Sequence, residues 1–499
     1  MMSIRTKQNR VNISFILTTF FLLSSGLLWG ADLQMVNAGN RLYNEAYRPQ
    51  FHFTYQVGWM SDINGPVYYD GEYHLFSQHC PGGPGLNYPN VHWGYAVSTD
   101  LIHWTELPPA LAPDAHGPIF SGSCAIDWNN TSGFQSGQEK VIVAFYTAAE
   151  YILPSNKDGT QCIAYSNDRG RTWTKYAGNP VVNAITHYNR DPKVFWYAPT
   201  NKWVMVITLS GDCATDHRFA FLNSSNMVNW TETSRLDMPT ACDCPDMFEL
   251  SVDGSSNNKR WVLWGGDATY AVGTFNGQTF QREGPIRLPL VPSTQNGHVG
   301  YAAQSFSDIP SADGRRIQMT WLQHGSYPGM TFNQQASFPC KLSLRTFSDG
   351  IRLCRVPVAE IEKLHIKTYH WENHTLPPGQ NLLSSITGEL FDMRAQLEPS
   401  GAGQVTINIR GTDVVYNATT QKLSCLGATV DLPMIAGKVQ LQILVDRTSI
   451  EIFGNDGAIS LVYGFTPSSS NKTLGLYASG GDSKIVSLDV YKLKSAWLK

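Results

Sequence analysis

Three acids share one local setting. Asp62 lies in "WMSDING", Asp191 in "YNRDPKVFWY" and Asp243 in "ACDCPDMFEL", each just ahead of an apolar or aromatic run. A proline follows within two residues of Asp191 and of Asp243, limiting the local backbone. One such acid is more often a turn former that bonds its own backbone. Three in the same setting suggest chemistry. Splitting an acetal needs a carboxylic acid to protonate the departing oxygen and a carboxylate to meet the cationic carbon. Where the outcome is retention, the two lie about 5 Å apart. Burial and neighbouring negative charge make the members of such a pair titrate differently. A third acid can hold substrate hydroxyls and stiffen the site.

Convergence of acids so far apart in sequence requires a fold that brings strand ends together. Short aromatic and β-branched runs punctuated by Gly, Asn, Asp and Pro fill the chain from about Phe51 to Val356, an all-β pattern. The Asp70-Gly71 pair between two alternating runs predicts a hairpin, which puts Asp62 at the mouth of a strand rather than in its middle. A weak repeat runs through the same region: "STDLIHW", "SNDRGRTW", "SSNMVNW" and "FNGQTF", each a polar turn ending in an aromatic (Trp104, Trp173, Trp230, Phe280). Those intervals suit a four-stranded unit with variable loops, and so the blades of a β-propeller over residues 45–364. Inner strands of a propeller start at an axial funnel, where acids from three successive blades can meet. The polar, proline-containing stretch "HIKTYHWENHTLPPGQNLL" predicts a linker over 365–385. Alternation returns in "QVTINIR", "VQLQILVD" and "SIEIFGNDGAISLVYGF", predicting a β-sandwich over 386–499 with a hairpin at Asn455-Asp456-Gly457.

Composition excludes several classes. Charged residues make up 15% and aromatic residues 12%, a balance suited to sugar faces rather than phosphates. Residues 1–30 pair a basic start (Arg5, Lys7, Arg10) with an apolar run from Ile13, predicting a signal peptide cleaved after Gly26 or Gly30. The mature chain is then extracellular, or periplasmic if bacterial, and not held in a membrane. Net charge is −3; losing those three bases from 37, against 40 acids, leaves −6 and no basic stripe, which argues against a nucleic-acid partner. Nine cysteines leave at least one unpaired and lack the paired spacing of a zinc site. The proposed chemistry needs neither metal nor organic cofactor.

Several ordered motifs identify the resemblance. Ser61-Asp62-Ile63-Asn64-Gly65 after Trp59-Met60, Phe120-Ser121-Gly122-Ser123, Arg190-Asp191-Pro192 and Cys244-Pro245-Asp246 resemble signatures of the family 32 glycoside hydrolases, the invertase, inulinase and levanase group. "HWGYAVSTDLIHW", "SFPCKLSLR" and "LQILVDRTSIEIFGNDG" extend the likeness along almost the whole mature length. The resemblance implies a five-bladed β-propeller followed by a β-sandwich, and a retaining enzyme acting on β-fructofuranosidic bonds of sucrose or fructans such as inulin and levan. It implies Asp62 as nucleophile, Asp191 as transition-state stabiliser and Gln78 as a ligand of the terminal fructose. Trp59, Asn64, Trp93, Phe120, Ser121, Arg190 and Trp321 are the further sugar-binding candidates.

Two departures matter. The family acid/base is a glutamate before Cys-Pro-Asp, whereas Asp243 stands there, one methylene shorter; the only nearby glutamate, Glu249, falls in the following strand. Proton donation needs hydrogen-bond reach, and a misplacement of about 1 Å can cost about a hundredfold. Ser61 and Ile63 replace an asparagine and a proline in the first motif. Hydrolysis through a fructosyl-enzyme is the leading expectation, beside fructosyl transfer through the same intermediate and a fructan-binding protein without catalysis.

Overall fold

The computed structural model describes residues 43–209, 211, 218–239, 241–288, 300–323, 327–401 and 403–497. The expected signal peptide lies outside them. The chain is almost entirely β, a five-bladed propeller followed by a β-sandwich. Blades 1 to 4 are meanders whose inner strands are Gly58–Tyr69, Ile119–Asp127, Arg190–Tyr197 and Asp246–Val252; the inner strand of blade 5 is Gly300–Ser305. The ring closes where Phe332–Asn333 pairs in parallel with Gly58–Trp59.

The repeated turns occupy equivalent places, between the third and fourth strands of blades 1 to 4. Asp100, Asp168, Asn226 and Asn276 each accept backbone N–H groups from the residues just after them. The indole N–H of Trp104, Trp173 and Trp230 closes each turn onto the carbonyl three residues back, at 3.2, 2.9 and 2.8 Å. The polar-then-aromatic signature is therefore a side-chain-capped turn that also seats an aromatic between blades. The Asp70-Gly71 hairpin forms as a two-residue turn, with positive φ at both positions.

The inner strands are broken where they approach the axis. Register slips between Met60 and Ile63 in blade 1, between Ile119 and Gly122 in blade 2, beside Asp191-Pro192 in blade 3, and between Tyr301 and Gln304 in blade 5. A bulge turns a side chain out of its strand's alternation. Asp62 thus sits within a continuous strand, at its bulge, and not at the strand mouth the sequence predicted. Blade 4 uses a different device: Asp243 and Cys244, ahead of the strand, take left-handed φ values of 54° and 32°.

Residues 365–376, expected to begin a linker, instead form an edge strand. His365–Leu376 pairs antiparallel with Ser483–Leu493 in the six-stranded sheet of the sandwich. Its polarity has a simple cause: most of its side chains face solvent, while its backbone pairs along one side only. A five-stranded sheet packs against the first across an apolar core.

Propeller and sandwich share a second core in which Phe51, Phe53 and Phe338 meet Leu444, Phe453 and Leu493. At its centre the buried His52 ring contacts Asp446 Oδ2 at 2.8 Å and Glu451 Oε1 at 2.7 Å. Burial alone would lower the His52 pKa, but these two carboxylates outweigh it and carry it to about 9, so both ring nitrogens donate at neutral pH. Gly457, in the predicted hairpin, lies so close to Arg355 of blade 5 that a Cβ would stand 2.1 Å from its carbonyl oxygen.

Candidate active site

Asp62, Asp191 and Asp243 line one cavity of about 230 Å³ at the axial end of blades 1, 3 and 4. The blades are not successive, as the sequence suggested; blade 2 contributes Phe120 to the same cavity, while Ser121, expected to bind sugar, is fully buried behind the wall. Trp59, Gln78, Arg190 and Trp321 also line it, as expected. Asn64 and Trp93 do not. Both are fully buried behind the wall, Trp93 donating its indole N–H to the Phe120 carbonyl at 3.0 Å. Their large or polar side chains, read as sugar ligands, brace the residues that do face the cavity. Glu249 lies elsewhere, paired with Lys259 at 3.3 Å.

A chain of hydrogen bonds fixes Asp62. Ser61 Oγ donates to Gln78 Oε1 (3.2 Å), Gln78 Nε2 donates to Ser121 Oγ (2.8 Å), and Ser121 Oγ donates to Asp62 Oδ2 (2.7 Å). Ser61, which replaces the family asparagine, therefore acts through Gln78. Burial pushes the Asp62 carboxyl upward; the Ser121 bond opposes this and the charge of Asp243 adds to it.

Asp191, with φ of 62°, accepts the Cys244 backbone N–H on Oδ2 at 3.0 Å, and its own N–H donates to Thr147 Oγ1 at 2.8 Å. Burial, with the Asp243 charge second, carries its pKa up to about 7, although Arg190 pulls the other way. The Cys244 sulfur lies 3.4 Å from Asp62 Oδ2 and 3.6 Å from Asp191 Oδ2. Burial, reinforced by these acids, keeps that thiol protonated, so it serves both carboxylates as a shared donor.

Asp243 is held on both oxygens. Arg190 Nε donates to Oδ1 at 2.7 Å, a second guanidinium nitrogen meets the same oxygen, and Tyr301 O–H donates to Oδ2 at 2.7 Å. Cys242, immediately before it, is disulfide-bonded. Around the mouth, Tyr88 and Tyr151 flank Phe120 with ring centroids 6.2 and 6.0 Å away. Trp59 and Trp321 meet edge to face at 5.8 Å on the other side.

Sequence reasoning did not single out Cys244, Tyr301, Tyr151 or Tyr88. Cys244 lies inside the quoted Cys244-Pro245-Asp246 motif, where only the preceding acid was given a role. Tyr301 is 58 residues from its partner Asp243 and carries no local signal. The arrangement can bring a buried carboxylate and a second, separately held carboxyl group to one small polar ligand between aromatic walls.

Comparison with known proteins agrees along both domains. The family description "Glycosyl hydrolases family 32 N-terminal domain" matches residues 52–357, and "Glycosyl hydrolases family 32 C terminal" matches 360–492. The chain is 40% identical over 506 residues to a levanase of Bacillus subtilis, covering 92% of this chain and 72% of that one. It is 31% identical over 526 residues to an extracellular exo-inulinase of Aspergillus awamori, covering 91% and 96%. The crystal structure of exo-inulinase from that fungus superposes with a TM-score of 0.79 at 28% identity, covering 91% of this chain and 100% of that one.

Proposed function

The chain belongs to glycoside hydrolase family 32 and is a glycoside hydrolase of the β-fructofuranosidase type, and on that premise we propose that it is a secreted, retaining enzyme that releases fructose from fructans or sucrose. Asp62 is the nucleophile, Asp191 stabilises the oxocarbenium-like transition state, and Asp243 gives the proton to the leaving oxygen and then takes one from water. The observation that carries this reading is the convergence of all three carboxyl groups on one cavity. A volume of about 230 Å³, below the roughly 300–1,000 Å³ of drug-sized pockets, suits one terminal fructosyl unit. Export is supported by the basic and apolar N-terminal segment and by the extracellular relative.

The hydrogen bonds to Asp243 also define what substrate must do. A guanidinium and a phenol donate to the two oxygens of Asp243, so both are occupied as acceptors. Sugar hydroxyls that draw Arg190 away free Asp243 Oδ1 to take up the proton it must deliver. The same clamp favours one second reading, a fructan-binding protein in which Asp243 never becomes a donor. Purified protein incubated separately with sucrose, inulin and levan decides between them. Free fructose supports hydrolysis, lengthened oligosaccharides support transfer, and binding without release supports the second reading.

A further inference from the structure

The inner strands have two ends, and the candidate active site uses only one. At the other end lies a cavity of about 530 Å³ that shares no lining residue with the first. Along the inner strand of blade 3, Asp191 lines one cavity and Trp196 the other. The second cavity begins at Lys193, and Trp196 itself lies five residues, roughly 16 Å, along the strand from Asp191.

Its wall is aromatic. Trp196 and Trp261 are partly exposed, and Trp128 stands at the rim with 48% of its surface in solvent. Its polar groups are of both kinds. The Arg316 guanidinium lines the cavity and, among the described residues, makes one hydrogen bond, from Nη1 to the Phe306 carbonyl at 2.9 Å. Asp308 accepts the Trp128 indole N–H at 2.8 Å and the Ile126 N–H at 3.3 Å, and the exposed Glu249 pairs with Lys259 through one oxygen at 3.3 Å. Lys193 is committed to Asp246 at 2.9 Å.

This set selects a ligand class. An anion would meet Asp308 and Glu249 as well as Arg316. A purely apolar ligand would leave the remaining guanidinium N–H groups without acceptors, at a cost. A neutral polyol satisfies all three: its oxygens accept from Arg316, its hydroxyl hydrogens donate to the two carboxylates, and its C–H faces lie on the indole rings. We propose that this cavity is a second saccharide site that holds a fructosyl segment of the polymer away from the bond being cut. The proposal rests on the reading that the enzyme acts on fructans.

The test uses the full chain carrying Asp62→Ala, to stop turnover, titrated calorimetrically with inulin-derived oligosaccharides of a few fructosyl units. Two equivalents are expected, and one is expected after adding Trp128→Ala, an exposed loop position whose fold is checked by circular dichroism. In the active background, Trp128→Ala should leave sucrose kcat/KM unchanged and raise KM for inulin about tenfold, the loss of about 1.4 kcal/mol of binding. Identical titrations with and without Trp128→Ala overturn the second site. So does displacement of the second equivalent by inorganic phosphate, which would make it an anion site. If wild type cleaves inulin while the titrations match, the second site alone fails. If wild type cleaves no fructoside, the function beneath it fails.

Discussion

Asp243 meets Arg190 Nε and Tyr301 O–H at 2.7 Å each, so the shorter side chain fits its present partners. An added methylene would move the carboxyl off both. Asp243→Glu is therefore expected to lower sucrose kcat by roughly 10- to 100-fold; a gain in steady-state rate would show instead that the missing methylene limits the enzyme. Asp191 carries a different cost. Its pKa is raised to about 7 in the fold, so the native state holds a proton that the unfolded chain gives up between about pH 4 and 7. Stability falls as pH rises through that window, by up to about 4 kcal/mol for this group. Asp191→Asn keeps an oxygen for the Cys244 N–H and removes the titration. Its melting temperature should exceed wild type at pH 8 and match it near pH 4, with activity lost. An equal difference at both pH values would contradict the assigned cause. These pairings were only partly legible: the acids stood out in their motifs, whereas Tyr301 is set by topology alone.

Bulged inner strands connect that chemistry to the fold. In blade 2, Ser121 reaches Asp62 because the strand bulges just before Gly122, where an added Cβ would lie 1.9 Å from the Phe145 carbonyl oxygen. Backbone cannot yield as a flexible side chain can. Gly122→Ala should therefore cost about 1–3 kcal/mol of stability and a large part of kcat, read by thermal melting and sucrose assay. Unchanged values would mean that the strand need not approach so closely. The turns between outer strands were legible because their logic is local, an Asx cap followed by an aromatic four or five residues on. Bulges were not, since register slips depend on the neighbouring strand. The polar stretch from His365 misled for a related reason: composition reports solvent contact, and an edge strand has that contact while still paired to its one neighbour.

Two domains behave as one body at the His52 cluster. "LQILVDRTSIEIFGNDG", read in the sequence as a family signature, supplies Asp446 and Glu451 to this interface and nothing to the active-site cavity. Because the His52 pKa is raised from 6.5 to about 9, its contribution is complete below pH 6.5 and is lost as pH rises through 9. His52→Gln should lower the melting temperature at pH 6 and converge on wild type above pH 9 in a calorimetric series; a pH-independent deficit would point to packing instead. On the proposed function, the five blades deliver one carboxylate to bond the anomeric carbon of a sugar and another to manage the proton. The most direct measurement uses Asp243→Ala with an activated fructoside whose leaving group needs no protonation. The first step should then proceed while water, lacking its base, attacks slowly. Peptide mass spectrometry should find one fructosyl unit on the peptide containing Asp62, and turnover without that adduct, or an adduct on another residue, would contradict the account.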